Sequence, residues 1–315
     1  MEPAPLHADV ADGPEGGAAH WLTTQDGTRV RVAHWPTGGR GTVLLFPGRT
    51  EYVEKYGRVA REFGARGFST IAIDWRGQGL ADRMLDDPLS GHVMHFSDYQ
   101  QDASAMLRAA RGLGLPEPFH LVAHSMGGCI GLRALMEGLP VRSAMFSAPM
   151  WGIRLAPAIR PLAWSLSWGL RAVGLDHRYA PGTSANTVVG ASPFDENSLT
   201  SDRDSFDYMV AQVQTYPDLS LGGPSMRWLY EALKETRALD ARPSPDLPTT
   251  TFVGTDETIV DVDRIHARMK RWPGGRLEVA SAARHEIMME VPATRQRFFN
   301  AAAAQFLHAQ EVEPA

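Results

Sequence analysis

Ser125 stands where an apolar run stops, in Leu121-Val122-Ala123-His124-Ser125-Met126-Gly127-Gly128. A buried strand that ends on a serine, flanked by small residues at minus two and plus two and followed by a helix-like stretch (Cys129 to Glu137), has the layout of a nucleophile elbow. Strand and helix backbones nearly collide at such a turn, so a bulky Cβ at either flank would block it. Ala123 takes the place more often held by glycine and still fits. A serine hydroxyl is a weak nucleophile at neutral pH. It needs a base, and the base needs a third group to orient it.

Both partners are available downstream in the order serine, acid, histidine. Of eleven histidines, His285 alone follows a late strand-like run (Arg276–Ala280) by a short loop and precedes an apolar, helix-starting segment. For the acid, the run ending at Gly254 leads into Thr255-Asp256-Glu257-Thr258-Ile259-Val260-Asp261. Asp256, Glu257 and Asp261 all lie close. Glu257 is preferred because the apolar pair Ile259-Val260 would anchor its loop, and Asp256 is the alternative. An oxyanion hole needs two backbone N–H groups. Met126, after the nucleophile, and Arg49, in the loop Pro47-Gly48-Arg49-Thr50-Glu51, are the expected donors, with Gly48 expected to allow the sharp turn. The Arg49 side chain could face a substrate phosphate or pair with Glu51 or Glu54.

The elements that must carry these residues follow from hydrophobic patterning. Trp21 to Trp35 alternates around Asp26-Gly27, which reads as an antiparallel hairpin. Five continuous apolar runs follow (42–46, 69–74, 119–123, 143–147 and 250–254), and a sixth, less apolar run is 276–280. Continuous hydrophobicity suits parallel strands covered on both faces. Helical patterns at 56–66, 96–113, 126–137, 262–271 and 293–308 alternate with them, which predicts an α/β, mostly parallel, doubly wound sheet.

Residues 150–239 interrupt the alternation and are expected to form an inserted helical cap between core segments 21–149 and 240–308. A leader (1–20) and a tail (309–315) are expected to be flexible. The cap opens on a segment with Trp151, Trp164 and Trp168 among Leu, Ile and Ala, broken by Pro157 and Pro161, with a helix expected from Leu162 to Val173. Such a segment could wall an acyl tunnel or touch a membrane surface.

The chain has 315 residues, 43% hydrophobic and 21% charged, with a net charge of −5. That balance argues against a nucleic-acid partner. One cysteine, Cys129, excludes an internal disulfide or a cysteine metal cluster and reads as a core residue. The leader lacks a basic start and apolar core, so no signal peptide is expected and the protein is read as cytoplasmic.

Several strings together resemble the bacterial lysophospholipase and monoacylglycerol lipase branch of the α/β-hydrolase superfamily, grouped with serine-aminopeptidase-like (S33) hydrolases. They are Phe46-Pro47-Gly48-Arg49-Thr50-Glu51-Tyr52-Val53-Glu54-Lys55-Tyr56, Asp74-Trp75-Arg76-Gly77-Gln78-Gly79, Gly91-His92-Val93 with Phe96, Asp98-Tyr99 and Asp102, the elbow, and Arg284-His285-Glu286. In the insertion, Phe194 to Asp202 and Leu221 to Ser225 look like the family's cap signatures. The resemblance implies an α/β-hydrolase fold with a lid, hydrolysis of a fatty acyl ester, Glu257 as the acid, and no metal or organic cofactor. Ser205 stands where relatives often carry arginine. The strings also allow an S33-type aminopeptidase, in which Asp202, Asp204 and Asp207 would hold a substrate amine, or a catalytically silent lipid- or partner-binding fold.

Overall fold

The six apolar runs become the parallel part of one nine-stranded sheet with the order β1-β2-β3-β5-β4-β6-β7-β8-β9. They are β4 (Thr42–Phe46), β5 (Ser69–Asp74), β6 (Phe119–His124), β7 (Ala144–Ser147), β8 (Thr249–Gly254) and β9 (Arg276–Ala280). Every residue of β4 to β8 is buried, as the unbroken hydrophobicity requires, whereas β9 is a partly exposed edge. This computed structural model describes residues 1–154, 165, 168–171, 173–186, 189 and 193–311.

The hairpin forms as expected: β2 (Ala18–Thr23) pairs antiparallel with β3 (Arg29–Trp35), which continues antiparallel onto β5. Helices cover both faces. On one side Tyr99–Gly112 and Val262–Lys270 flank Ser125–Met136, and Cys129 is buried there; on the other lie Gly57–Gly64 and Pro292–Glu311. From β4 the chain moves outward to β5, then returns to the opposite side of β4 to form β6. Strand order therefore reverses between β4 and β6, the place where a doubly wound sheet opens a crevice at its carboxyl edge.

Two terminal expectations are corrected. Residues 1–20 do not form a flexible leader. Glu2–Ala4 (β1) adds to β2, and Ala8–Ala11 makes a helical turn. Polar anchors hold this segment: Arg31 Nη1 donates to Pro5 O at 2.8 Å, the His7 ring stacks on Tyr216 at 3.6 Å, and Arg58 and Arg61 grip Asp12. No hydrophobic periodicity announces such anchors, so composition alone misread them. At the other end the last helix runs on to Glu311.

Between β7 and β8 the insertion contributes helices Arg203–Thr215 and Met226–Asp240. Asp202 and Ser225 cap them, each accepting a backbone N–H three residues on. The first helix is tied to the core through Tyr208 Oη, which donates to Ala11 O (2.7 Å), and Gln212, whose Oε1 accepts from Tyr52 Oη (3.0 Å). The expected helix at 162–173 lies largely outside the described residues.

Arg31 sits between Asp74 (2.7 Å) and Glu54 (2.7 Å), and all three side chains are fully buried. Removing the cation leaves two carboxylates without compensation. Arg31→Met should therefore lower unfolding stability by about 3–5 kcal/mol in a urea titration followed by circular dichroism. A loss below about 1 kcal/mol would mean that water reaches the pair.

Candidate active site

Ser125 is the first residue after β6 and adopts φ of 49°, a left-handed conformation that side chains with a Cβ rarely take. The neighbouring backbone enforces it. A Cβ on Gly127 would lie 2.1 Å from Phe46 O and 2.5 Å from Pro47 O, so the helix start is pressed against the loop leaving β4. Only a residue without a side chain lets the two loops meet.

A second close approach builds the opposite wall. A Cβ on Gly254 would lie 1.9 Å from Ala283 O, and Asp256 N–H donates to that same carbonyl at 3.0 Å. The loops after β8 and β9 are thereby laced together. Glu257 Oε2 meets His285 Nδ1 at 2.6 Å, while Glu257 Oε1 accepts from the N–H groups of Ile259 (2.5 Å) and Val260 (3.1 Å). Burial pushes the Glu257 carboxyl upward. The adjacent imidazole and these hydrogen bonds more than offset that and leave it below its usual range. An ionised carboxylate on Nδ1 fixes the ring's orientation and leaves Nε2 as the working nitrogen.

Ser125 and His285 line one cavity of about 110 Å³ with Arg49, Thr50, Tyr52, Leu199, Met209 and Ile259. Asp256 is exposed, and among the described residues its carboxylate accepts only from the Thr255 hydroxyl, while Asp261 caps the helix after β8. Of the three carboxylates, the structure brings only Glu257 to the imidazole.

The loop after β4 is propped by the string that follows β5. Trp75 Nε1 donates to Pro47 O (2.9 Å), Gln78 Nε2 to Gly48 O (3.0 Å), and Thr50 N–H to Gln78 Oε1 (3.1 Å). The left-handed residue of this loop is Thr50, at φ 67°, rather than Gly48. Gly48 instead makes room, since a Cβ there would sit 2.9 Å from the Glu51 carboxyl carbon. Met126 lies in the first helical turn, where N–H groups have no intrahelical acceptor, and the Arg49 N–H belongs to the facing loop. The Arg49 side chain pairs with neither Glu51 nor Glu54. Its Nη1 donates to Gly222 O at 2.8 Å, no carboxylate pairs with it among the described residues, and burial pushes its pKa down to about 10.

The tryptophans fall elsewhere. Trp151 is buried between Phe146 and Trp272, with Nε1 donating to Gly128 O (3.1 Å), so it belongs to the core and not to an acyl wall. Trp168 is 62% exposed, and Trp164 lies outside the described residues. Among the described residues, the side chains from the insertion that reach the cavity are Val189, Leu199 and Met209. Sequence reasoning missed all three, along with Glu51, Lys55 and Glu286 on the cavity wall. The four-residue spacing of Glu51 and Lys55 was the one available hint.

Sheet, elbow and oriented imidazole together define an α/β-hydrolase. A family model described as serine aminopeptidase, S33, matches residues 38–292, and the chain belongs to that family. It is 32% identical to lysophospholipase L2 of Escherichia coli (strain K12) over 263 residues, 80% of this chain and 76% of the relative. A monoacylglycerol lipase of Mycolicibacterium smegmatis is 31% identical over 113 residues, 35% of this chain and 39% of the relative. Among solved structures, a soluble variant of monoglyceride lipase from Saccharomyces cerevisiae with a substrate analogue superimposes with a TM-score of 0.70 at 20% identity, covering 91% of this chain and 94% of that one. The last likeness concerns the fold alone.

Glu257→Gln should lower kcat for ester hydrolysis by about 10³–10⁴-fold because the amide cannot enforce the productive tautomer. Asp256→Asn should stay within about threefold of the parent. A large loss in Asp256→Asn with Glu257→Gln near the parent in steady-state turnover would move the acid to Asp256.

Proposed function

We propose that this chain is a serine hydrolase that cleaves the carboxylic ester of single-chain lipids, with lysophospholipids favoured over neutral monoacylglycerols. One observation carries the reading: a strained serine and a carboxylate-bound imidazole share one cavity at the sheet's switch point. Ser125 Oγ attacks the acyl carbonyl while His285 Nε2 takes its proton. The N–H groups of Met126 and Arg49 hold the resulting oxyanion. His285 then returns the proton to the departing glycerol oxygen, and water, deprotonated by the same ring, releases the fatty acid and restores the serine.

The head-group preference rests on Arg49. A desolvated guanidinium with no carboxylate partner among the described residues, on a residue lining the cavity, suits a phosphate better than a hydroxyl. The insertion acts as the lid. At about 110 Å³ the cavity is smaller than the roughly 300 Å³ at which small-molecule sites begin, and Leu199 and Met209 close it. Seating a ten-carbon chain would contribute on the order of 8 kcal/mol before ordering costs, enough to drive those side chains aside. No helix among the described residues is long and apolar enough to cross a membrane. The exposed Trp168 and Val173 give the lid an apolar edge for transient contact with a membrane surface, in a protein that works from the cytoplasm.

The aminopeptidase alternative lacks its amine clamp. Asp202 bonds to Arg295, Asp204 to Arg58 and Asp207 to Arg203, so each carboxylate is already engaged.

Ser125→Ala should abolish release of fatty acid and labelling by a fluorophosphonate probe while the fold persists. Persistent labelling would put the nucleophile elsewhere, and a silent binding fold would leave the parent unlabelled. Arg49→Met, which keeps the backbone donor, should lower the ratio of lysophosphatidylethanolamine to monoacylglycerol turnover by about tenfold at matched chain length. An unchanged ratio would remove phosphate recognition from Arg49.

A further inference from the structure

On one wall of the cavity, and behind it at His124, lies a group of ionisable side chains that the hydrolytic steps do not use. Lys55 Nζ is 2.5 Å from Glu51 Oε1 and 2.7 Å from Glu286 Oε1. His124 Nε2 is 3.4 Å from each of the same two oxygens, and its Nδ1 is 3.0 Å from Ser147 O and 3.1 Å from Ser147 Oγ. Tyr56 Oη donates to the other Glu51 oxygen at 2.5 Å. None of these side chains is more than 6% exposed.

The positions are telling. His124 precedes the proposed nucleophile, Glu286 follows the proposed base, and Glu51 lies two residues past the proposed oxyanion donor. The cluster joins all three loops, and its His124 ring packs on the His285 ring with centroids 4.7 Å apart.

The hydrogen-bond geometry sets the protonation of His124. A backbone carbonyl can only accept, so the Ser147 carbonyl favours a proton on Nδ1, and the two carboxylate oxygens 3.4 Å from Nε2, beyond direct hydrogen-bond reach, favour positive charge on the ring. Burial opposes the charge, but Glu286 and then Glu51 outweigh it and raise the ring's proton affinity. Burial likewise works against ionisation of Lys55 and Glu286. Their partners overcome it, raising the ammonium's pKa and holding the Glu286 carboxyl well below the usual range. Two cations and two anions then sum to zero. Lys55 already fills the space between the carboxylates where a metal cation would have to sit.

We propose that Glu51, Lys55, His124 and Glu286 form a charge-balanced positioning site for His285, locking the three loops together and keeping the charge under its ring at zero. The inference depends on His285 being the base of the proposed hydrolysis. The charged and titratable groups facing that ring are Glu257 at Nδ1, His124 on one side, and Arg49, Glu51, Tyr52, Lys55 and Glu286 around the shared cavity. Glu257 and the ring belong to both wild type and variants, so a change in the cluster's net charge is read against a constant background.

The sign follows directly. Activity needs a neutral His285 and falls on the acid side as the ring protonates. Lys55→Met leaves the cluster at −1, which favours the imidazolium, so the acid limb moves to higher pH by about half a unit to one unit. Adding Glu286→Gln returns the cluster to zero, and the limb of the double variant should move back to within about 0.2 units of wild type.

The readout is the rate at which a fluorophosphonate labels Ser125 across the acid and neutral range, with folding checked by circular dichroism. An acid limb that stays put in Lys55→Met, or a double variant shifted further still, overturns the proposal and leaves the hydrolase reading intact. Wild-type protein that never labels defeats the hydrolase reading instead. Nitrogen-15 NMR of the histidine rings in the wild type gives a test that no folding defect can obscure. His124 should carry both ring protons above neutral pH, and a neutral His124 ring at pH 7 overturns the charge balance.

Discussion

Phe46 and Pro47 approach the start of the helix at Ser125 so closely that Gly127 has no room for a Cβ. This contact follows from the parallel register of β4 and β6, where Phe46 faces Ala123. Adjacent parallel strands must end side by side at the same edge of the sheet. The loop from one and the helix from the other then compete for the same space. A residue without a side chain resolves the competition, and the price is a serine held at φ 49°. Serine and candidate oxyanion donors are thus brought together by the sheet itself, before any side chain interacts.

The loops at that edge have few backbone partners, and ion pairs centred on buried cations replace them. Arg31 joins Asp74 to Glu54, Arg76 joins Asp102 to Asp26, and Lys55 joins Glu51 to Glu286. In each set one cation binds two carboxylates from different stretches of chain. Desolvating such ions costs several kcal/mol each, so these sets add little net stability. Their effect is directional. A guanidinium or ammonium satisfied by two oxygens fixes where two loops lie relative to each other, which an apolar plug does less well. The Arg31 set reaches further and also receives Pro5 O, binding the amino-terminal segment to the same edge.

Much of this was legible in the residues. The six parallel strands could be read because both faces are covered, which makes the hydrophobicity continuous. The elbow, His285 and the preference for Glu257 could be read because each sits at the end of a recognisable strand. What was not legible depends on partners distant in sequence. The segment 1–20 is ordered by a short strand pairing and by single polar contacts to Arg31, Arg58 and Arg61, and these leave no period in the sequence. Trp151 has the composition of a cap residue, yet it stacks on Trp272, more than a hundred positions away. Leu199 and Met209 look like ordinary apolar residues until the insertion folds back over Ser125.

Arg49 shows how a single loop residue can serve two purposes. Its backbone N–H belongs to a turn held by Gln78 and Trp75, so the donor is fixed whatever the side chain does. Its guanidinium extends to Gly222 in the insertion and lies 5.6 Å from the Trp228 ring. Through Arg49 the loop after β4 is therefore tied to the insertion by a neutral-acceptor hydrogen bond in a desolvated setting. A carbonyl satisfies one of five guanidinium donors and none of its charge. An incoming anion could compete for that side chain without breaking an ion pair, so recognition of a charged head group and loosening of the insertion would be the same event.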